Sequence, residues 1–268
     1  MNRLLDRFDH FLIDLDGVVY VGEEPTPRAA EVLGAIKQAG KTRLFITNDP
    51  RHTTEEYSQK VSRLGIPAKA DEFLTSGRAA ALYLQTEGRI GESIFVVGTE
   101  GLRREIESVG GRISRGEEGI GAKVVVVGGH QDFHYRELKV ATLAIQKGAA
   151  FIATNRDPNF PMPDGLWPGT GPVVAAIKVA TGVRPIVVGK PEKQLFQIAR
   201  ALFPSAGRTA VIGDRLDSDI LGGQRAGLST ILVLSGCTTR EEAAKSAIRP
   251  DYIVPNLLGL LGPGPLSD

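Results

Sequence analysis

Asp14 and Asp16 stand two residues apart at the end of an apolar run, in the stretch FLIDLDGVVY (11–20), where their charges repel. Three other short stretches carry groups of comparable chemistry. They are Thr47 and Asn48 after the run 43–47, Lys190 after the run 185–188, and Asp214, Asp217 and Asp219 in VIGDRLDSDI (211–220). Two carboxylates about 4 Å apart repel by roughly 4 kcal/mol at an effective dielectric near 20, so a cluster of Asp14, Asp16, Asp214 and Asp219 needs positive charge among its members. Lys190 supplies one ammonium, too little for four carboxylates. Hard oxygen ligands of this kind suit Mg²⁺ held by a few carboxylates together with substrate phosphate and water.

The residue types then suggest roles. Asp14 at a strand tip can attack phosphorus as a carboxylate nucleophile, forming an aspartyl phosphate and splitting one slow hydrolysis into two easier steps. Asp16 would lie on the same side if the strand stays extended, where it could protonate the leaving alkoxide and later take a proton from water. Gly17 permits the sharp turn that swings Asp16 out of the strand direction. The Thr47 hydroxyl and the Asn48 N–H can donate to phosphoryl oxygens, and Lys190 can stabilise their charge. Asp214 is the expected metal ligand and Asp219 an orienting neighbour of water or of Lys190. Asp217 is expected to be solvated.

Positioning these groups requires strands. Apolar runs at 11–15, 43–47, 93–97, 123–127, 150–154, 185–188, 209–212 and 230–234 alternate with helical periodicity at 29–39, 54–64, 101–109, 135–146, 173–181 and 193–202. That alternation predicts an α/β fold with a mostly parallel sheet, covered by helices on both faces. Ligands of open α/β sheets bind outside the carboxyl ends of the strands, and the first, second, sixth and seventh runs end in the residues above. The three middle runs, ending in GTEG, GGHQ and TNRD, carry no comparable set. The middle of the chain therefore reads as an insert, with crossings at 86–92 and 181–185, both polar and glycine-bearing.

Taken singly, each motif has an ordinary reading: a DxD pair as a turn, Thr47 as a helix cap, Lys190 as a surface charge, 214–219 as an acidic helix start. Four such accidents at four strand ends are a poor explanation of the whole. His10, His52, His130 and His134 show no ligand spacing. The glycines of PGTGPVV (168–174) read as a tight helix start rather than a nucleotide loop. Trp167, the only tryptophan, is either core of the insert or a face for an organic leaving group, with core the preferred reading.

Composition sets the outer limits. Of 268 residues, 42% are hydrophobic and 24% charged, and 32 basic against 31 acidic residues leave a formal charge of +1. No polybasic face invites nucleic acid or a membrane surface. A single cysteine, Cys237, cannot form an internal disulfide, and no apolar run approaches the ~20 residues that span a bilayer. A reducing cytoplasm is expected.

The four motifs DLDGV (14–18), ITND (46–49), VGKP (188–191) and GDRLDSDI (213–220) resemble, in order and spacing, those of the haloacid dehalogenase superfamily of phosphatases. The branch resembled is the C2-capped, p-nitrophenyl-phosphatase-like (NagD-like) one. Further similarity lies in 153–177 and 226–236. The resemblance implies a Rossmann-like doubly wound core at 1–88 and 183–268 and an α/β cap at 89–182. It implies Mg²⁺ held by Asp14, the backbone carbonyl of Asp16 and Asp214, with Asp219 behind them. Asn155 and Asp157 would join Thr47, Asn48 and Lys190 in binding substrate, and a homodimer through the cap is implied.

Two departures from the family pattern stand out. Asp49 and Pro50 replace the Asn-Ser that usually follows Thr-Asn, adding a charge and removing an N–H near the phosphate. Phe160 stands where some vitamin B6 phosphate phosphatases carry histidine, which argues against pyridoxal phosphate.

The expected activity is Mg²⁺-dependent hydrolysis of small phosphate monoesters of the p-nitrophenyl phosphate, sugar phosphate or nucleoside monophosphate type. A phosphotransferase or mutase of the same superfamily, a receiver-like phosphoacceptor and a silent sugar-phosphate sensor are the alternatives. Release of inorganic phosphate separates them from a hydrolase.

Overall fold

The computed structural model describes residues 3–162 and 164–262. All eight predicted runs form strands, and the fold is α/β. One six-stranded sheet has the order Tyr252–Val254, Ser229–Val233, Thr209–Gly213, His10–Asp14, Thr42–Thr47, Phe73–Thr75. The central strand His10–Asp14 pairs in parallel with Thr209–Gly213 on one side and Thr42–Thr47 on the other. All five of its residues are buried, as expected of a strand covered on both faces. Later strands add outward in opposite directions from it, so the chain reverses its winding between His10–Asp14 and Thr209–Gly213. Open α/β sheets place ligands at such a reversal. Asp14 ends one of these two strands and Asp214 directly follows the other.

The chain forms two compact units: Met1–Thr47, Thr54–Leu74 and Lys190–Asp268 in the first, Asn48–Thr53 and Thr75–Gly189 in the second. The core of the first is a continuous apolar cluster that includes Leu4, Phe11, Ile13, Ile36, Phe45 and Ile212, all essentially without solvent exposure. The second unit has its own five-stranded parallel sheet, ordered Ile186–Val187, Ala150–Ala153, Val124–Val127, Ser93–Val97, Arg112–Ser114. Its core includes Val125, Val127, Ala141, Ile177 and Phe151.

Two features of this division differ from the sequence reading. The sixth run, taken there as a strand of the sheet that carries Asp14, pairs instead with Ala150–Ala153 (Ile186 with Ile152, Val187 with Ala153). Lys190 therefore follows a strand of the second sheet, although the residue itself belongs to the first unit. The loop 48–53, continuous with the motif at Thr47, clusters with the second unit. There the Arg51 carbonyl accepts from Thr99 Oγ1 at 2.8 Å, and a Cβ at Gly101 would come within 2.3 Å of that carbonyl oxygen. Glycine at 101 is what admits the loop backbone so closely.

In the first unit, the buried Arg43 is held by Glu72, with Nε 3.1 Å from Oε1, and donates to the carbonyls of Leu33 and Pro67 at 3.1 and 2.6 Å. Burial alone would lift the Glu72 carboxyl. The Lys69 N–H, Arg43 and Lys37 outweigh it and hold Glu72 below its ordinary range. A carboxyl depressed by folding contributes stability above its unfolded pKa and loses it as pH falls through the lower folded value. Glu72→Gln leaves a buried guanidinium without its counter-ion. The expected result in chemical denaturation at pH 7 is a loss of about 3 kcal/mol, shrinking as pH falls through the lowered folded value and the wild-type carboxyl also becomes neutral.

Candidate active site

The first strand stays extended only to Asp14. Beyond it the chain folds back at once: the Gly17 N–H donates to the Tyr20 carbonyl at 2.8 Å and the Val19 N–H to the Leu15 carbonyl at 2.8 Å. Gly17 has φ of +78°, the left-handed region in which a side chain is disfavoured. Asp14 is buried, whereas the Asp16 side chain is exposed, with the Tyr20 hydroxyl 3.5 Å from its Oδ2. The strand does not continue through Asp16: the turn that Gly17 permits takes its place.

The structure brings Asp14, Asp214 and Asp219 together, each offering a carboxylate oxygen within 4.8 Å of the others, and all three are buried. Lys190 is buried among them, its Nζ 2.6 Å from Asp14 Oδ1 and 2.6 Å from Asp219 Oδ1. Asp219 sits in the irregular turn Leu216–Ile220, and its second oxygen accepts from the Arg215 N–H at 3.2 Å. A Cβ at Gly213 would lie 2.2 Å from Asp219 Cβ, so the GD pair at 213–214 requires glycine in its first place. Asp214 Oδ2 accepts from the Cys237 N–H at 2.6 Å. Asp214 Oδ1 is buried and accepts no hydrogen bond among the described residues. Asp217 is exposed and pairs with Arg215, as a solvated residue should.

Three carboxylates against one ammonium leave the cluster with an excess of two negative charges. Burial, and then the neighbouring Asp219 and Asp214, lift Asp14 well above the ordinary carboxylate range despite Lys190. Asp214 is raised by burial and by Asp219. Burial works against the Lys190 ammonium, but Asp14 and Asp219 outweigh it and hold the group above its ordinary value. The Cys237 thiol is pushed up to about 11 by burial and by Asp214, so it is neutral at pH 7.

Thr47 ends its strand buried. In the second unit, the other expected substrate-binding residues gather around one another. Asn48 Nδ2 donates to both Asp157 oxygens at 3.2 and 3.1 Å, Asn155 Nδ2 to the Asn48 carbonyl at 2.6 Å, and the Asp157 N–H to Asn155 Oδ1 at 3.0 Å. Asp49 carries no isolated charge. The Arg51 guanidinium grips its two oxygens at 2.8 and 2.8 Å, and the Arg51 N–H adds a third bond at 2.9 Å. Burial would lift Asp49, yet Arg51 holds it below its ordinary range. The same guanidinium lies 4.3 Å from the centre of the Phe160 ring. The two departures from the family pattern therefore meet on one arginine, which no spacing rule would have exposed.

Trp167 is a correction: it lies half-buried on the two-stranded ribbon Asn159–Met162 and Gly165–Pro168, opposite Phe160, and bonds Asp164 Oδ1 at 2.8 Å. It is outside the apolar core of the second unit. Pro163, within the segment expected to carry substrate specificity, lies outside the described residues. Two of the four histidines have structural partners of this kind: His10 stacks on Phe203, and His134 caps a helix through the Glu137 N–H.

Comparison with known proteins identifies the family. Residues 11–112 match the model of a haloacid dehalogenase-like hydrolase family, and residues 187–260 match a second, HAD-hydrolase-like model. The chain is 36% identical to the 5'-nucleotidase YutF of Bacillus subtilis over 94% of this chain and 97% of that protein. The glycerol phosphate phosphatase of Mycobacterium tuberculosis, solved in complex with magnesium, is 36% identical with a TM-score of 0.90, covering 100% of this chain and 81% of that one. The 4-nitrophenylphosphatase of Thermotoga maritima is 32% identical with a TM-score of 0.89, covering 97% and 98%. The chain belongs to the haloacid dehalogenase-like hydrolases, as a phosphomonoesterase of their p-nitrophenyl-phosphatase-like branch.

Proposed function

We propose that this chain hydrolyses small phosphate monoesters with Mg²⁺, through an aspartyl phosphate on Asp14. The first unit is read as the catalytic core and the second as the inserted cap domain. The observation that carries the proposal is the burial of Lys190 between Asp14 and Asp219 beside an Asp214 oxygen that accepts no hydrogen bond among the described residues. Buried polar atoms without partners are uncommon, and a carboxylate oxygen inside a cluster with excess negative charge fits a hard divalent cation. Asp14, the Asp16 carbonyl and Asp214 would hold Mg²⁺, with Asp219 behind them orienting Lys190. The bound ion supplies neutralisation of charge on the phosphoryl oxygens.

The remaining chemistry belongs to side chains. An Asp14 oxygen bonds to phosphorus as the bond to the ester oxygen breaks, and Asp16 gives its proton to the departing alkoxide. Asp16 then takes a proton from water, whose oxygen bonds to phosphorus and releases the Asp14 carboxylate with inorganic phosphate. Exposure of Asp16 supports this division, since a group that exchanges protons with alcohol and water must reach both, while the nucleophile is kept from solvent. Thr47 Oγ1 and the Asn48 N–H donate to phosphoryl oxygens, and Lys190 offsets the charge building on them. Asn155 and Asp157 are assigned to contacts with the substrate.

Relatives named for a nucleotide, a glycerol phosphate and a nitrophenyl ester as substrates support a compact organic phosphate as the substrate class. The test is release of inorganic phosphate from p-nitrophenyl phosphate by the purified protein. Mg²⁺-dependent release, abolished by chelation, is expected. A folded protein that releases none, or transfers phosphate only to an added acceptor, contradicts the proposal.

A further inference from the structure

We propose that Gly236 and the Cys237 N–H form a positioning clamp that occupies one oxygen of Asp214 and thereby reserves the other for the divalent cation; the inference rests on the metal-dependent reading above. The Asp214 carboxylate lies in a slot with no room for a side chain on either wall. A Cβ at Gly236 would come within 2.0 Å of Asp214 Oδ2 and 2.6 Å of its Cγ, and a Cβ at Gly17 within 2.3 and 2.7 Å of the same atoms. Real Cβ atoms do not approach oxygen so closely, so each glycine is what lets the carboxylate sit there.

The Cys237 N–H closes the end of the slot at 2.6 Å from Oδ2, a short bond of the kind expected between an amide and an anion. The segment making these contacts is fixed on both sides. Ser235 Oγ donates to the Gly17 carbonyl at 2.7 Å, and the Thr238 N–H donates to Asp214's own carbonyl at 3.2 Å.

The result is an asymmetric carboxylate. Oδ2 is held by backbone, while Oδ1 is buried and accepts no hydrogen bond among the described residues. A carboxylate turned part-way about its Cβ–Cγ bond would draw its held oxygen off the Cys237 amide and lose this asymmetry, and the amide bond opposes that turn. Partners behind a metal ligand typically carry 10- to 100-fold of metal affinity. The segment 235–238 has the standing of such a partner, acting on Asp214 chiefly through its backbone.

The test is Mn²⁺ binding without substrate, read from the EPR signal of the free ion and repeated as calorimetry with Mg²⁺. Gly236→Ala, which pushes the carboxylate out of its slot, should weaken binding by about 10- to 100-fold. Ser235→Ala removes only the tie to Gly17, leaves every backbone group in place, and should weaken binding by about 3- to 10-fold. It provides the second arm should Gly236→Ala fail to fold. Gly34→Ala, in a helix with open space around the new methyl, should bind as wild type. Wild-type affinity in both folded test variants overturns the clamp and leaves the metal reading intact. A wild-type protein that binds neither ion overturns both.

Discussion

Asp14→Asn should abolish turnover of p-nitrophenyl phosphate, with kcat falling by about 10⁴-fold or more, while leaving the metal-free fold at least as stable as wild type. The loss follows from chemistry: a carboxamide does not form the acyl phosphate. The stability follows from electrostatics. Burial and two neighbouring carboxylates raise the Asp14 carboxyl more than Lys190 lowers it. A carboxyl whose pKa rises on folding costs stability once pH exceeds its unfolded value, so at pH 7 the charged form is a burden that a neutral isostere removes. Thermal melts in EDTA and steady-state kinetics in Mg²⁺ measure the two effects on one preparation. A melting temperature several degrees below wild type would show that Asp14 is held chiefly by its bond to Lys190, contrary to this account.

Lys190→Met should act oppositely on the fold while also removing activity. Its ammonium is buried with two carboxylates at 2.6 Å each, and the balance of burial against those charges leaves it above its ordinary value. A lysine raised by folding contributes stability that is fully present at neutral pH and lost only as pH climbs through the folded value. Removing one partner of a buried ion pair typically costs about 3–5 kcal/mol because the other charges are stranded. Here three carboxylates would remain. The expected outcome at pH 7 without metal is a destabilisation of that order, partly restored at acid pH as the stranded carboxylates protonate. The kcat should fall by about 10³-fold through loss of charge on the phosphoryl oxygens. Equal stabilities for this variant and Asp14→Asn would mean that the cluster is not electrostatically organised as described.

Much of this was legible before any coordinates because the strands carrying the groups are long, apolar and buried on both faces, so that their ends are marked by the first polar residues. His10–Asp14 and Thr209–Gly213 show this directly, and the motifs at 14 and 214 fall where those strands stop. Ile186–Val187 shows the opposite. Two residues of strand are apolar in either sheet, and which one they join is decided by the neighbours offered, here Ile152 and Ala153.

Short, partly exposed edge strands such as Arg112–Ser114 and Tyr252–Val254 carry too little apolar pattern to predict. Gly17 already signals the turn that takes Asp16 out of the strand, and the structure forms that turn there. The Asp49–Arg51–Phe160 contact and the Gly236–Cys237 clamp depend on proximity between distant segments and on the absence of side chains, neither of which spacing encodes.

The most direct measurement is chemical trapping of the phosphorylated residue. Protein quenched during turnover and reduced with borohydride converts an aspartyl phosphate to homoserine, which mass spectrometry locates in a peptide. The account predicts substrate-dependent homoserine at position 14 and none in Asp14→Asn. Homoserine at Asp16 or Asp214, or vigorous turnover with no reduced residue at position 14, would contradict it.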